Sequence, residues 1–198
     1  MNNNLDDKLI EVLIGLCPIN KDIVEVIKDS LTLRRLPKGS QLITIGDVAD
    51  KLYFIAKGLV RSYYFIDGKE VTSWLAAEDD FAVSSYSFFK QEPSFESVEL
   101  LEDAELLFIS YSDLQHLYQT HPSLNFIGRV LMEKYLLSAE ERIRSLRMLN
   151  AEERYYIFCQ QYPELCDRTP LKHIASYLGL SRYTLSRLRG YKFKMDLI

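Results

Sequence analysis

The 198-residue sequence predicts an α+β chain: an N-terminal β-roll or jelly roll with flanking helices, one long helix, and a C-terminal helix-turn-helix. Three observations carry that prediction. Between Leu31 and Ile109, short β-branched and aromatic runs alternate with turn signals roughly every ten residues, as in an antiparallel roll or sandwich. From Ser110 the apolar period becomes helical. Residues 168–194 hold seven Lys and Arg with no Asp or Glu, and they coincide with two short amphipathic segments around Gly179.

Residues 5–30 read as two helices. Leu5, Leu9, Val12, Leu13 and Leu16 recur at helical spacing, as do Ile23, Val24 and Ile27. Pro18 separates the runs, and Asn20 is placed to cap the second. The roll is built from QLITI, KLYFIA, LVRSYYFI, EVTSWLA and ELLFIS, with turns at Pro37-Lys38-Gly39, Gly46-Asp47, Lys57-Gly58 and Asp67-Gly68. Asp67-Gly68 is the clearest hairpin signal, because both central positions of a type I′ turn need φ > 0.

SYSDLQHLYQTHP predicts a short helix ending near Pro122, and a long helix follows to Met148. Leu124, Ile127, Leu131 and Tyr135 form one stripe of it, while Phe126, Val130 and Leu137 lie to another side. A helix apolar on two sides needs two surfaces to pack on. One is the roll. The other is the same helix of a second subunit, and Leu124, Ile127, Leu131 and Tyr135 are the expected dimer interface. Asn150 with Glu153 three residues on is a capping-box pattern, so a new helix begins near residue 150. The expected division is a sensor roll over 1–118, a dimerisation helix over 119–149 and a helix-turn-helix unit over 150–198.

The net charge of −4 is unevenly spread: +7 over 168–194, −1 at Asp196 and −10 over the first 167 residues. Such a split points to a polyanion partner for the basic end. Cys17, Cys159 and Cys166 form no CxxC pair and no even disulfide framework, so a reduced, cytoplasmic chain is expected. The N-terminus carries acids where an export signal needs bases. No run reaches the roughly 18 apolar residues of a membrane span. The first histidine is His116, which disfavours the histidine-and-carboxylate metal centres of roll-shaped enzymes. No nucleophile–histidine pair or phosphate-cradling glycine loop stands out. No catalytic residue, metal ligand or cofactor is therefore expected.

The basic window has the plan of a helix, a tight turn and a helix. Thr169 is placed to cap and Pro170 suits the first helical position. Leu171, Ile174, Ala175 and Leu178 make an apolar face, and Gly179 suits the left-handed turn. Leu180 plugs the core, Ser181 caps the second helix, Leu185 and Leu188 bury its inner side, and Gly190 ends it. Arg182, Tyr183, Ser186 and Arg187 are left on the outer face, where they can enter a major groove. Thr169, Lys172, His173, Ser181, Arg189, Lys192 and Lys194 are placed for the backbone, which positions a protein without reading sequence.

A roll, a long helix and a helix-turn-helix in that order resemble the Crp/Fnr regulators, the family of the cyclic-AMP receptor protein. The resemblance rests on KGSQLITIGDVADKLYFIAKGLVRSYYFIDGKEV, with Gly39, Gly46, Tyr53, Gly58 and Asp67-Gly68-Lys69-Glu70 at the family's turns, and on SRYTLSR, which looks like the family's Ser-Arg-Glu-Thr-Val-Gly-Arg. It covers about residues 10–190. It implies that Arg182 and Arg187 read bases, and that Tyr183, standing where the family has a cytosine-binding glutamate, shifts the preferred sequence. It also implies a winged version of the fold. PELCDRT and the tail YKFKMDLI are short, so the wing is expected to be reduced.

The same resemblance implies an effector site that departs from the family's. Ala82-Val83 stands near the Gly-Glu place, and Glu96-Ser97-Val98 near the Arg-Ser-Ala run that pairs with the cyclic phosphate. Residues 81–98 contain no arginine, and Lys90 is their sole cation. A carboxylate there repels a phosphate at close range, so cyclic AMP is not expected to bind in the family's way. Cys17 alone does not supply the ligand set of the Fnr iron–sulfur cluster. Trp74, Phe81, Tyr86, Phe88 and Phe89 are the candidate lining of an apolar effector pocket. The resulting expectation is a homodimeric bacterial transcription regulator that binds double-stranded DNA, with RNA polymerase as a further candidate partner and the effector unknown. The alternative is a sensor module that has lost DNA binding.

Overall fold

The computed structural model describes residues 3–195, and the side-chain surroundings of residues 5–190. Helices α1 (Asn3–Leu16) and α2 (Lys21–Ser30) open the chain, and the Asn20 side chain accepts from the Ile23 N–H to cap α2. The strands are β1 (Thr32–Leu36), β2 (Gln41–Ile43), β3 (Lys51–Lys57), β4 (Val60–Ile66), β5 (Lys69–Ala76), β6 (Phe81–Ala82), β7 (Ser97–Leu100) and β8 (Ala104–Ser110), with α3 (Ser85–Lys90) after β6. They form two antiparallel sheets, ordered β1-β8-β3-β6 and β2-β7-β4-β5. The hairpin between β4 and β5 turns at Asp67 and Gly68, both with positive φ.

Strand alternation sorts the side chains into two cores. Ile55, Val60, Val98, Leu100 and Leu106 meet between the sheets. Phe54, Ala56 and Leu107 point the other way and are covered by α1, α2 and the helices that follow. Strand β3 is apolar on both faces because both faces are buried. At the β3–β4 turn Gly58 has φ +121°, and a Cβ there would lie 2.7 Å from the Ala104 Cβ.

Ser110 caps α4 (Tyr111–Thr120), and α5 (Ser123–Met148) follows as the longest helix among the described residues. The stripe expected to meet a partner is used inside the protomer. Leu124 and Ile127 are buried beneath α5, and Leu131 packs against the same cluster. The Tyr135 hydroxyl donates to Asp80 and accepts from the Phe81 N–H at 3.2 Å. The reason is that the outer face of the β1-β8-β3-β6 sheet is apolar and this stripe is the one that covers it. The free apolar side of α5 is Met132, Leu136, Ala139, Ile143 and Leu146, at the alternating four-and-three spacing of a coiled-coil seam.

Helices α6 (Ala151–Gln161), α7 (Pro163–Arg168), α8 (Leu171–Tyr177) and α9 (Arg182–Met195) complete the fold. The Asn150–Glu153 capping box is formed. Helix α7 occupies the stretch where a winged fold would place strands. It also brings Cys166 back to Cys159 as a disulfide, with Cα atoms 5.2 Å apart, which corrects the expectation of unpaired thiols. The chain reversal at Tyr162-Pro163 creates that pairing, and seven residues of separation do not announce it. Helix α9 runs through Gly190, which was expected to end it; Gly190 does not take the left-handed conformation that stops a helix.

Candidate nucleic-acid interface

Helix α8 turns its apolar face inward: Ile174, Ala175 and Leu178 are buried. The turn is closed by a left-handed Gly179 (φ +65°), with the Leu180 N–H donating to the Ala175 carbonyl at 2.8 Å. Ser181 then caps α9, its Oγ accepting from the Thr184 N–H at 3.0 Å. Leu185 is fully buried and anchors α9 against α8. With the inner side fixed, Arg182, Tyr183, Ser186 and Arg187 are all exposed, Tyr183 at 77%. Lys172 and Ser181 are exposed beside them, and Arg189 is half-buried. The Lys192 and Lys194 side chains lie outside the described residues.

Three residues of the basic window are not available to DNA. Thr169 is 3% exposed, forms the C-cap of α7, and its hydroxyl is buried without a partner. It does not cap α8, which starts after Pro170 without a side-chain cap. His173 is buried, and burial together with the Arg61 and Lys172 charges depresses its pKa to about 4, so it is a poor phosphate ligand. Arg168 is held by carboxylates. It donates from Nη1 and Nη2 to both oxygens of Glu78 at 2.6 and 3.0 Å, from Nη2 and Nε to Glu102 at 2.6 and 3.2 Å, and to Glu164 at 3.3 Å.

These contacts show what the sequence reading missed: the helical unit is docked on the roll. Glu78 follows β5 and Glu102 lies between β7 and β8. Leu59 and Leu101 of the roll share a core with Tyr155, Phe158, Leu165 and Ile174. The Thr72 N–H in β5 donates to the Ser176 hydroxyl of α8 at 2.9 Å. Burial pushes the Glu78 carboxyl up, but hydrogen bonds from Arg168 and the Gly58 N–H outweigh it and leave its pKa at about 2. The hydrogen bonds that Arg168 donates to Glu78 and Glu102 hold its pKa above the usual range. An acid four residues before Arg168 was visible in the sequence; the two roll acids are brought there only by folding.

The five aromatics expected around an effector do not form one pocket. Trp74 packs in the roll interior. Phe81 packs at a tilt against Phe54 on the outer side of the β1-β8-β3-β6 sheet, with ring centres 5.4 Å apart. Phe88 is buried against Tyr111, while Phe89 and Tyr86 are exposed, the latter beside Phe95. The reason is that β6 and the short α3 send alternate side chains to opposite surfaces. Inside the roll, Glu96 is 6% exposed, and its carboxyl group accepts from the Ser62 and Ser73 hydroxyls. A separate small cavity of the roll, bounded by Leu42, Tyr53, Ala82, Ser84 and Val98, has a volume of about 10 Å³. Cys17 lies in a different core from Cys159 and Cys166, and no group of three or more potential metal ligands occurs among the described residues. No helix among those residues is long and apolar enough to cross a membrane.

Residues 33–121 match the cyclic nucleotide-binding domain family. The chain is 29% identical over 130 residues to the anaerobic regulatory protein of Bacillus subtilis, a match spanning 65% of this chain and 54% of that one, so just over half of that relative's length is represented. It is 28% identical over 185 residues to the fumarate and nitrate reduction regulatory protein of Vibrio cholerae, covering 86% of this chain and 73% of the relative. Its fold is similar to that of FixK2 from Bradyrhizobium japonicum, with a TM-score of 0.74 at 18% identity over 84% of this chain and 86% of that one. With a roll, a long helix and a terminal helix-turn-helix in that order, the chain is similar in architecture to regulators of the Crp/Fnr type.

Proposed function

We propose that the protein is a homodimeric, sequence-specific DNA-binding transcription regulator acting in the cytoplasm. The observation that carries this reading is the outer face of α9, where Arg182, Tyr183, Ser186 and Arg187 stand exposed on a helix anchored by Leu185. Arg182 and Arg187 are the base-reading side chains, since arginine pairs bidentately with guanine. Tyr183 offers a hydroxyl and a ring rather than a carboxylate. Lys172, Ser181 and Arg189 serve the phosphates, assisted by the N-terminal N–H groups of α9. Arg182→Ala and Arg187→Ala are each expected to weaken binding to the preferred site by about 1–3 kcal/mol and to relax one base position. Lys172→Ala is expected to weaken all sequences alike and to reduce the salt slope by about 0.9. Quantitative binding to a site selected from genomic fragments is the measurement. Unchanged affinity and preference in both arginine variants would remove the reading.

The dimer forms through Met132, Leu136, Ala139, Ile143 and Leu146, so that two α9 helices meet successive major grooves about 34 Å apart. Leu136→Glu with Ile143→Glu is expected to give monomers by sedimentation and to abolish high-affinity DNA binding. A dimer that survives both charges would place the interface elsewhere.

Cyclic AMP is not the effector in this reading. A buried Glu96 near the place for a phosphate-binding arginine disfavours a cyclic phosphate. Calorimetric titration with cyclic AMP is expected to give no roll-dependent heat, and micromolar binding that Glu96→Gln alters would overturn this. The reading assigns no reaction and no metal or cofactor, and RNA polymerase is a candidate contact of the DNA-bound dimer.

A further inference from the structure

The C-terminal half of α5 meets α6 and the end of α8 around a cleft of about 100 Å³, outside the roll and away from the exposed residues of α9 named above. Three arginines line it: Arg142, Arg144 and Arg154. Among the described residues none of them is ion-paired to a carboxylate within 4.0 Å, although Glu141 also contributes to the wall. The Arg154 Nε is buried without a hydrogen-bond partner, and its Nη1 has only a 3.3 Å bond to the Leu146 carbonyl. The Arg142 guanidinium lies 3.7 Å over the Tyr177 ring, which fixes one of its faces and leaves its N–H edge for another partner. Leu149, Ile157, Phe158 and Leu178 give the wall an apolar part, and Ser138, Ser145 and Gln161 add polar groups to it.

A buried donor without a partner is destabilising, and an anion supplies what it lacks. Unpaired guanidiniums on one side therefore select a carboxylate or phosphate head. The apolar side gains by covering a hydrocarbon body, which a bare inorganic anion would leave wet. The volume sets the size: a cavity of about 150 Å³ takes a benzene ring, so this open cleft suits a body no larger than a single ring. We propose that this cleft binds a small amphipathic organic anion, a phosphate or carboxylate head on an apolar body of ring size. The site touches the dimer helix, α6 and the first helix of the helix-turn-helix at once, so an occupant bridges all three. Binding itself does not rest on the DNA-binding reading, and the test contains no DNA.

The test is calorimetry of the full chain with phenyl phosphate and benzoate, with inorganic phosphate as the head alone and phenol as the body alone. At least one of the two amphipathic probes is expected to bind at least about tenfold more tightly than either half. Arg154→Met is expected to weaken that binding about tenfold without lowering the thermal midpoint of the free protein, since the lost group had no partner at Nε. Arg142→Gln provides the same comparison if Arg154→Met fails to fold. Absence of heat with both amphipathic probes up to about 10 mM, equal binding of inorganic phosphate, or arginine variants that bind as the parent does would each overturn the proposal.

Discussion

Replacing Arg61 by alanine is expected to remove about 3–5 kcal/mol from the free energy of unfolding. Arg61 is 2% exposed and lies on the face of β4 and β5 that α8 covers. Its Nη1 donates to Glu70 and Glu99, each at 2.8 Å, and its Nε donates to the Thr72 hydroxyl at 3.0 Å. Its guanidinium also stands 4.4 Å from the centre of the Tyr63 ring. Truncation opens a void beneath α8 and strands Glu99, which is itself largely covered. The second consequence dominates, because an uncompensated charge in a covered site is penalised more than the attraction it replaces was worth. With typical domain stabilities of about 5–15 kcal/mol, the variant stays folded but marginal. Urea unfolding at constant m-value measures the loss, and adding Glu99→Gln is expected to restore part of it by removing the stranded charge. A loss under about 0.5 kcal/mol, the size of an ordinary surface change, would show that the network is incidental.

Arg168→Ala is expected to be the next most damaging change, at about 2–3 kcal/mol, with its effect concentrated where α7 meets the roll. The guanidinium is 28% exposed, so its pairs are partly screened and the figure stays below that for Arg61. Without it, Glu78 and Glu102 repel across the same gap. Amide exchange over 163–190 is expected to accelerate while that of β3 and β8 is kept. Arg168→Lys should fall between, since one ammonium does not reproduce a fork bonded to both carboxylates. The same junction gives a pH signature. His173 stays neutral in the folded protein down to about pH 4, whereas the unfolded chain takes up a proton near 6.5. Stability is thus fully present above 6.5 and declines by about 2 kcal/mol between pH 7 and pH 5. Glu78 acts lower: its contribution is fully present above about 4.5 and is lost as pH falls through about 2. His173→Gln is expected to flatten the pH 5–7 slope and leave the acid limb in place. A slope that persists in that variant would assign it to another group.

Local chemistry carried much of the fold. The Asp67-Gly68 hairpin, the Asn20 cap, the Asn150–Glu153 box and the left-handed Gly179 each use interactions spanning a few residues, so spacing alone identifies them. The outer face of α9 was legible for the same reason: once Leu185 and Leu188 turn inward, Arg182, Tyr183, Ser186 and Arg187 must turn outward. Readings that failed concerned which of two surfaces a residue faces. Leu124 and Ile127 have the right period for a seam, but period does not say whether a stripe meets the chain's own sheet or a second copy. Arg168 counted as a free cation of the basic window, and His173 as a phosphate contact, until the roll supplied Glu78, Glu102 and a roof over the imidazole.

By itself the sequence determined the order of roll, long helix and helix-turn-helix, the turn and cap positions, and the side chains that α9 shows to solvent. All of these follow from backbone geometry repeating over one to four residues. Only the tertiary structure decided which charges are free, which stripe of α5 is spent on the protomer's own core, that Cys159 meets Cys166, and that the helical unit rests on the roll through Arg168 and Ser176. Those outcomes depend on pairs separated by up to 104 residues, and no local period encodes a contact between segments that only folding brings together.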